Sequence, residues 1–443
     1  MKQERKKTVP AELARWAGYF ALDAFRGGTV RKRYEQDIYA YRHGTDAEET
    51  KRRIAGLISH AVRTTGFYAS YAEDTPLREL PVVNKDTFRS RYDDFRSAPY
   101  RDAPDNRIMT TSGSTGTPLS MIQDRRKILC NTADSIFLGA LGGYRIGEKM
   151  AFIRVWVNSV RKSRLQLAME NSIMMDSSSL SDEAISEMLS CIRKEKVKCL
   201  IGYSSALGEI SHYIDRKHVD MSPFEVHAIL PISETMPDQD RERLSEQFGC
   251  PVRAWYSNEE NGIMGLQSET DNSYYINSES YYYEILKPDA DEPAKDGELG
   301  RVVITDLTNR AFPIIRYDNG DMAVAQHTSK NGRFRLTLTE LYGRRSDLLY
   351  DTSGRAVTPY VVTNNLWNVE GVKQYRFLQT GLKEYELRLN GDRDVMNPEE
   401  MVRRIRPSLG DDAVIHVTYV DEIPVLASGK RKYIENLCPE YIR

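Results

Sequence analysis

The sequence predicts a large α/β domain with mixed sheets and crossover helices, joined by a hinge to a small α+β domain. Two observations carry this prediction. In the middle of the chain, short apolar segments alternate with helical patterns, and after Tyr342 a polar stretch is followed by a short α+β region. The chain has 443 residues, enough for several domains of roughly 100–200 residues each. We therefore assign residues 1–345 to the first domain and 346–443 to the second.

Composition narrows the functional classes. The chain has 62 Lys and Arg against 64 Asp and Glu, a net charge of −2, which argues against a nucleic-acid partner. The five cysteines form no paired motif, and the seven histidines show no metal-ligand spacing. No apolar run approaches the roughly 20 residues of a transmembrane segment, and no secretory signal follows the basic start. These features predict a cytoplasmic protein without structural zinc.

The first predicted element is a helix over residues 12–25. Its apolar stripe repeats at helical spacing and ends before Gly27 and Gly28; its members are Leu13, Trp16, Ala17, Phe20 and Ala24. Basic residues flank the helix on both sides. Two interpretations follow: the stripe packs on the domain, which we favour, or the helix makes a peripheral contact with an anionic membrane.

The middle of the chain predicts a parallel sheet. Strands are expected at 197–201, 225–230 and 251–256, with helices over 204–217 and 237–249 between them. Ligands bind such sheets beyond the carboxyl ends of the strands. Polar residues cluster in the loops expected there, which are 202–203, 232–235 and 257–261.

The later segments predict β structure and then the small domain. Strands are expected at 300–306 and 312–317, with a turn at Asn319-Gly320. After the polar break at 343–347, a hairpin across Gly381 pairs 374–380 with 384–389. A helix follows between Asn397 and Gly410, and the last strand is expected at 413–420.

A loop rich in hydroxyl groups and glycine is a candidate anion site. Its residues are Ser112, Gly113, Ser114, Thr115, Gly116 and Thr117. Small residues let backbone amides approach an anion, and the hydroxyls can donate to phosphate oxygens. The loop lacks the lysine of a Walker A motif and does not match G-x-G-x-x-G. On these residues alone, a phosphate loop and an ordinary surface loop are equally supported.

Other segments decide between these interpretations. In order along the chain, they are TSGSTGTP at 111–118, ISET at 232–235, WYSNEE at 255–260, GELGRVVITD at 297–306 with IRYDNGD at 315–321, GRRSD at 343–347 and SGKR at 428–431. Together they resemble the adenylate-forming superfamily, specifically its phenylacetate–CoA ligase-like branch and the related ligases of capsular polysaccharide clusters. The resemblance spans roughly residues 80–432.

The resemblance implies an ATP-dependent carboxylate ligase. In that family a carboxylate attacks ATP to form an acyl-adenylate and pyrophosphate, and the small domain then rotates about the hinge for acyl transfer. The implied cofactors are ATP and Mg²⁺. The acceptor is CoA, a carrier-protein thiol or an amine. The branch suggests an aromatic or another small organic acid as substrate. Trp156, Tyr144 and Tyr203 could line its pocket, although ordinary core packing is the interpretation that we favour for them.

The resemblance also implies residue roles. Lys430 would stabilise negative charge during adenylation, Glu260 would bind Mg²⁺, Asp321 would accept hydrogen bonds from the ribose hydroxyls, and Tyr256 would stack on adenine. The implied ATP-binding residues are Ser112, Gly113, Ser114, Thr115, Gly116, Thr117, Ser233, Glu234, Thr235, Tyr256, Ser257, Asp321 and Arg344.

Three departures from the family pattern keep an alternative open. Thr117 stands where lysine is common, Glu259 where Ser or Thr precedes the metal-binding Glu, and Ser346 where the hinge usually has its first Asp. They favour a non-catalytic, nucleotide-binding scaffold in polysaccharide assembly. The retained Glu260, Asp321, Arg344 and Lys430 favour the ligase. Either Ser346 or Asp347 would be the hinge pivot.

Overall fold

The structure is a computed structural model. It describes residues 10–110, 119–156, 162–345, 348–357, 362, 365–366, 369–424, 432–438 and 440. Several predicted residues lie outside these ranges: the whole 111–118 loop, both hinge residues Ser346 and Asp347, and Lys430 with its 428–431 motif.

Helices form most of the N-terminal part. They are α1 (Pro10–Phe25), α2 (Thr29–His43), α3 (Ala47–Thr64), α4 (Lys85–Ser90) and α5 (Tyr92–Phe95), with the short strand β1 (Thr45–Asp46) after α2. Strands β2 (Arg107–Thr110) and β3 (Ser120–Gln123) pair in antiparallel fashion on either side of residues 111–118, and α6 (Arg125–Leu141) follows. Asp124 begins α6 by accepting a hydrogen bond from the Lys127 amide, as an N-cap residue should.

The predicted parallel sheet is present. Its strands are β4 (Met150–Arg154), β5 (Ser172–Asp176), β6 (Cys199–Tyr203) and β7 (Ala228–Ile232), in the order β5-β4-β6-β7. The alternating helices are α7 (Arg164–Glu170), α8 (Asp182–Lys194), α9 (Ser204–Lys217) and α10 (Asp238–Phe248). Every residue of β6 and β7 is buried, as expected for central parallel strands covered on both faces.

The strand predicted at 251–256 is wrong in part. Only Val252 forms a bridge to this sheet, opposite Ile229. Pro251 has no amide hydrogen, so the pairing cannot extend to the N-terminal side of Val252. On the other side, the chain pairs with β9 from Trp255 onward. Strand β8 (Trp255–Asn258) starts later and belongs to a different, antiparallel sheet.

That antiparallel sheet has the order β11-β12-β13-β14-β10-β9-β8, with β1 beside β14. Its remaining strands are β9 (Gly262–Gln267), β10 (Tyr274–Ile276), β11 (Tyr281–Leu286), β12 (Leu299–Asp306), β13 (Tyr317–Lys330) and β14 (Arg333–Arg344). β12 matches the strand predicted at 300–306.

Two predictions next to β12 are wrong. Residues 312–316 are not a strand; Phe312, Ile314 and Ile315 are instead fully buried in a core shared with α3, α4 and α5. Asn319-Gly320 is not a turn between strands, because it lies within β13 as a bulge where the pairing register with β12 shifts. Gly320 has φ +84°, a backbone conformation that glycine adopts readily, so the strand continues through the bulge.

The C-terminal part has its own sheet and core. The pair β15 (Leu349–Tyr350) and β16 (Ala356–Val357) precedes a sheet of order β19-β18-β17-β20. Its members are β17 (Val372–Gln379), β18 (Glu384–Gly391), β19 (Val414–Tyr419) and β20 (Ile434–Asn436), with helix α11 (Pro398–Leu409) between β18 and β19. The predicted hairpin and helix and the strand predicted at 413–420 are confirmed. That strand is not the last one, because β20 follows it and pairs with β17. The domain boundary at residue 345 stays a prediction.

Helix α1 differs from the favoured interpretation of its stripe. Of the five stripe residues only Phe20 is buried, whereas Leu13 is 53% and Trp16 37% exposed. The helix docks through Phe20 and Asp23, so its contact face is rotated from the predicted stripe. No helix in the described part of the chain is long and apolar enough to cross a membrane. The cytoplasmic location stays a prediction.

A buried ion pair ties α6 to the antiparallel sheet. Lys127 Nζ lies 2.6 Å from Asp306 Oδ2, and both side chains are 0% exposed. The ammonium also donates to the Tyr281 hydroxyl at 3.1 Å. Removing one partner leaves the other charge buried and uncompensated, which costs about 3–5 kcal/mol. We therefore expect Lys127→Met to lower the urea midpoint of unfolding sharply, and Lys127→Met with Asp306→Asn to lower it less. A single variant as stable as the wild type would contradict this.

Candidate active site

A buried hydrogen-bonded cluster forms where β8 faces β13. The Tyr256 hydroxyl donates to Asp321 Oδ2 at 2.8 Å. The Asn319 side-chain amide donates both to that carboxylate oxygen, at 2.8 Å, and to the Tyr256 hydroxyl, at 2.7 Å. Asn319 and Asp321 are two residues apart in β13, on either side of the bulge at Gly320, and residues at this spacing lie on the same face of a strand. The Asp321 amide also donates to Asn319 Oδ1 at 3.0 Å.

Arg344 approaches the second oxygen of Asp321. The two residues are paired across β13 and β14, and Arg344 Nε lies 3.4 Å from Asp321 Oδ1. Burial raises the pKa of the Asp321 carboxyl above its usual value, while Arg344 and the Tyr256 hydroxyl lower it in part. The oxygen facing the half-exposed Arg344 is the one that a ligand hydroxyl could reach.

The Tyr256 hydroxyl has a role that the sequence did not predict, which is to hold the Asp321 carboxylate. Tyr256 is only 6% exposed. Burial raises the pKa of this hydroxyl well above its usual range, and the Asp321 charge adds to that effect, so it stays a hydrogen-bond donor at neutral pH. Stacking of its ring on adenine stays a prediction.

The structure separates the two adjacent carboxylates, Glu259 and Glu260. Glu260 is 5% exposed, whereas Glu259 is exposed and lines a cavity of about 200 Å³ that Glu260 does not line. Glu260 Oε1 lies 3.0 Å from Lys85 Nζ and accepts a hydrogen bond from the Tyr317 hydroxyl at 3.3 Å. The negative charge of Glu260 adds to the rise in the Asp321 pKa, which places the two carboxyls in one electrostatic neighbourhood.

The Glu260 carboxylate is suited to be a ligand of Mg²⁺. Mg²⁺ prefers hard oxygen donors and is commonly held by one or two carboxylates together with substrate phosphates. Glu260 is a buried carboxylate that already faces a cation, the Lys85 ammonium. Within the described ranges, no group of three or more His, Cys, Asp or Glu side chains could enclose a metal ion by itself. A metal at Glu260 would therefore depend on oxygens from a bound phosphate.

The residues of the 232–235 loop differ in what they contact. Ser233, with φ +71°, and Thr235 are exposed and lie at the carboxyl end of β7. Glu234 turns the other way: its carboxylate accepts the Ser205 amide at 2.9 Å, and its carbonyl accepts the Ser204 hydroxyl at 2.8 Å. A carboxylate at the N-terminus of a helix is favourable, so Glu234 fixes the loop to α9.

Aromatic side chains at the ends of β4 and β6 pack as core residues. Trp156 and Tyr203 are 8% and 4% exposed, and the Trp156 indole donates to the Met175 carbonyl at 3.0 Å. Arg154 lies between their rings, with its guanidinium carbon 5.6 Å and 5.8 Å from the two centroids. Half-buried Tyr144 packs against the same core. The favoured packing interpretation is therefore the one that the structure matches.

The sequence did not predict three residues that contact Asp321 or Glu260: Asn319, Tyr317 and Lys85. Asn319 stands inside the quoted IRYDNGD segment, so its motif was found without its role. Tyr317 was assigned to a strand for its apolar character, although its hydroxyl contacts Glu260. Lys85 gave no signal, because the only pattern around it is Asn84 as the N-cap of a short helix. Ser257, predicted to bind ATP, is half-buried in β8 next to Tyr256.

Comparisons with known proteins agree with these motifs. The family model of the CapK C-terminal domain matches residues 349–437. The match covers the described C-terminal sheet and helix α11. Protein CapK of Staphylococcus aureus is 21% identical to the chain over 432 residues, which cover 91% of the chain and 92% of CapK. The phenylacetate-coenzyme A ligase of Thermus thermophilus is 26% identical over 164 residues, 35% of the chain and 36% of that ligase. The resemblance to CapK and the phenylacetate–CoA ligases is confirmed.

Solved structures confirm the predicted fold class. The 2-hydroxyisobutyryl-CoA ligase in the postadenylation state, in complex with 2-HIB-AMP, matches with a TM-score of 0.69 at 16% identity, covering 89% of the chain and 91% of that ligase. The anthranilate CoA ligase AuaEII in complex with anthranoyl-AMP matches with a TM-score of 0.54 at 14% identity, covering 73% of the chain and 64% of that ligase. The chain therefore has the fold of these ligases, with its large N-terminal α/β domain.

Proposed function

We propose that the protein is an ATP-dependent carboxylate ligase that forms an acyl-adenylate and transfers the acyl group to a thiol or amine. The observation that carries this proposal is that Tyr256 holds Asp321 in a buried hydrogen-bonded cluster while the buried Glu260 carboxylate lies in the same electrostatic neighbourhood. These are the residues that the family motifs assign to ribose, adenine and metal. Their convergence in the fold of two CoA ligases supports nucleotide binding at this place.

The chemistry has two steps. An oxygen of the acid attacks the α-phosphorus of ATP, the bond from that phosphorus to the bridging oxygen breaks, and pyrophosphate leaves. The sulfur or nitrogen of the acceptor then attacks the acyl carbon and loses its proton, and AMP leaves with the electron pair of the acyl–oxygen bond. Mg²⁺ at Glu260 would supply charge neutralisation on the phosphate oxygens.

The residues of this chain would bind and orient the nucleotide. Asp321 would accept both ribose hydroxyls, with Tyr256 and Asn319 holding its carboxylate from behind. Exposed Ser233 and Thr235 would border the adenine, and the 112–117 loop would hold the β- and γ-phosphates. Lys430, in the second domain at 346–443, would be brought to the α-phosphate by rotation about the 346–347 hinge.

The acid and the acceptor are best approached through the relatives. One structural neighbour carries a hydroxy-acid adenylate and another an aromatic one, so both classes belong in a substrate panel. CoA is the first acceptor to test. The Thermus thermophilus relative and the two structural neighbours described above are all CoA ligases. An amide bond synthetase also shares the fold, with a TM-score of 0.51, so amines follow. A nucleotide-binding scaffold would also use the cluster around Asp321, so adenylation activity and its dependence on Lys430 distinguish the two functions.

We expect Asp321→Ala to weaken ATP binding at least about tenfold, equivalent to about 1.4 kcal/mol. The variant removes the acceptor for two ribose hydroxyls, and hydrogen bonds to charged groups contribute more than neutral ones. Titration calorimetry with ATP measures the change. Tyr256→Phe is the matched control, because it keeps the aromatic ring and the carboxylate and should weaken ATP binding less. Unchanged affinity in Asp321→Ala would remove the ribose role.

A further inference from the structure

We propose that helix α1 docks the protein on an anionic membrane surface. The observation is an apolar face of α1 that no described residue covers, defined by Leu13, Ala14, Ala17, Ala21, Leu22 and Phe25. All six are exposed, including Phe25 at 91%, Leu13 at 53% and Leu22 at 48%. At about 100° per residue, these positions span about half of the helix circumference without a charged side chain.

The opposite face holds α1 on the protein. Phe20 packs in a small core with Val30 of α2 and Ala133 of α6. Asp23, 8% exposed, accepts the amides of Val30 and Arg31 at 3.2 Å and 2.9 Å and so caps α2. The helix is therefore anchored through one side, and its apolar face points away from the domain as a fixed surface.

Basic residues lie beside the exposed apolar face of α1 and acidic residues lie on its opposite side, as binding to an anionic surface requires. The first 32 residues contain eight basic and three acidic residues, although the whole chain carries a net charge of −2. Exposed Arg15 and Arg26 border the apolar face beside Leu22. The acidic Glu12 and Asp23 lie on the side facing the domain, where Asp23 is already used.

This charge pattern favours anionic lipid over a second copy of α1 as the partner of the apolar face. A second copy of α1 laid against the first would bring like charges of Arg15 and Arg26 together, which disfavours a symmetric dimer. Anionic lipid headgroups would instead pair with these cations while Phe25, Leu22 and Leu13 enter the acyl boundary.

Vesicle cosedimentation of the full chain tests the proposal. We expect binding to phosphatidylcholine vesicles that contain phosphatidylglycerol, little binding to phosphatidylcholine alone, and weaker binding at high salt. Leu22→Ser with Phe25→Ser should lower the partition coefficient about tenfold or more, because two large apolar side chains no longer enter the lipid. Both positions are exposed, so folding should be unaffected, which circular dichroism checks.

The chain offers a matched control on another helix. Leu165 and Met169 of α7 are 72% and 71% exposed, so Leu165→Ser with Met169→Ser makes the same polarity change elsewhere and should leave vesicle binding unchanged. The proposal is overturned if the wild type does not bind phosphatidylglycerol vesicles, or if both double variants bind equally. It is also overturned if sedimentation shows a dimer that the α1 variant alone dissociates without any vesicle binding.

Discussion

Lys430→Ala is expected to reduce adenylation by roughly 100- to 1,000-fold while leaving ATP affinity nearly intact. A lysine that meets the carboxylate and α-phosphate as negative charge develops stabilises the transition state much more than the bound nucleotide. Losing such a charged contact commonly costs about 3–4 kcal/mol of barrier. Acid-dependent pyrophosphate exchange measures the rate, and calorimetry measures the affinity.

Lys432 provides the control for this variant. It stands two residues away and pairs with Glu435, with Nζ 3.1 Å from Oε1. Lys432→Ala should keep most of the exchange activity, because that ammonium is engaged within its own domain. Near-normal exchange in Lys430→Ala, or an equal loss in both variants, would remove the catalytic assignment of Lys430.

Glu260→Gln is expected to lower adenylation about 100-fold and to raise the Mg²⁺ concentration needed for half-maximal rate. Glutamine keeps the shape of the side chain but removes the charge that would hold the metal against the phosphates, which corresponds to about 2.7 kcal/mol of barrier. The variant also leaves the Lys85 ammonium without its carboxylate. A Mg²⁺ titration of pyrophosphate exchange separates metal affinity from the maximal rate.

Glu259→Gln is the matched control, because it makes the same chemical change one residue away on an exposed side chain. It should behave like the wild type, and chelation by EDTA should stop exchange in both proteins. If Glu259→Gln loses activity and Glu260→Gln keeps it, the motif register is wrong and Glu259 is the metal ligand.

The sequence predicted those parts of the fold in which local pattern and tertiary structure agree. Strands β6 and β7, helices α9 and α10 and the C-terminal hairpin and helix have clear periodicity and clear end signals, such as Asn397 before α11. Strands β4 and β5 of the same parallel sheet were not predicted. The strand predicted at 312–316 and the turn predicted at Asn319-Gly320 were wrong. An apolar run can be buried without forming a strand, and a sequence typical of a turn can form a bulge within a strand. Their conformation is decided by neighbours distant in sequence.

The site was predicted residue by residue but not as a network. Motifs identified Tyr256, Asp321 and Glu260, yet nothing local indicates that the Tyr256 hydroxyl holds Asp321 or that Lys85 faces Glu260. Such contacts join segments far apart in the chain, so they follow from the fold alone. The stripe of α1 was predicted with the wrong rotation for a similar reason: periodicity finds an amphipathic helix but does not say which of its residues the neighbouring elements cover.

Carboxylate-dependent ATP–pyrophosphate exchange with Mg²⁺ tests the central claim most directly. The panel should contain aryl, arylacetic, hydroxy, short aliphatic and amino acids, with Lys430→Ala as the inactive control. We expect exchange with one class of acid and its loss in the variant, which would establish adenylation before any acceptor is known. ATP binding without exchange for any acid would contradict the ligase and favour the scaffold, and failure to bind ATP at all would contradict both.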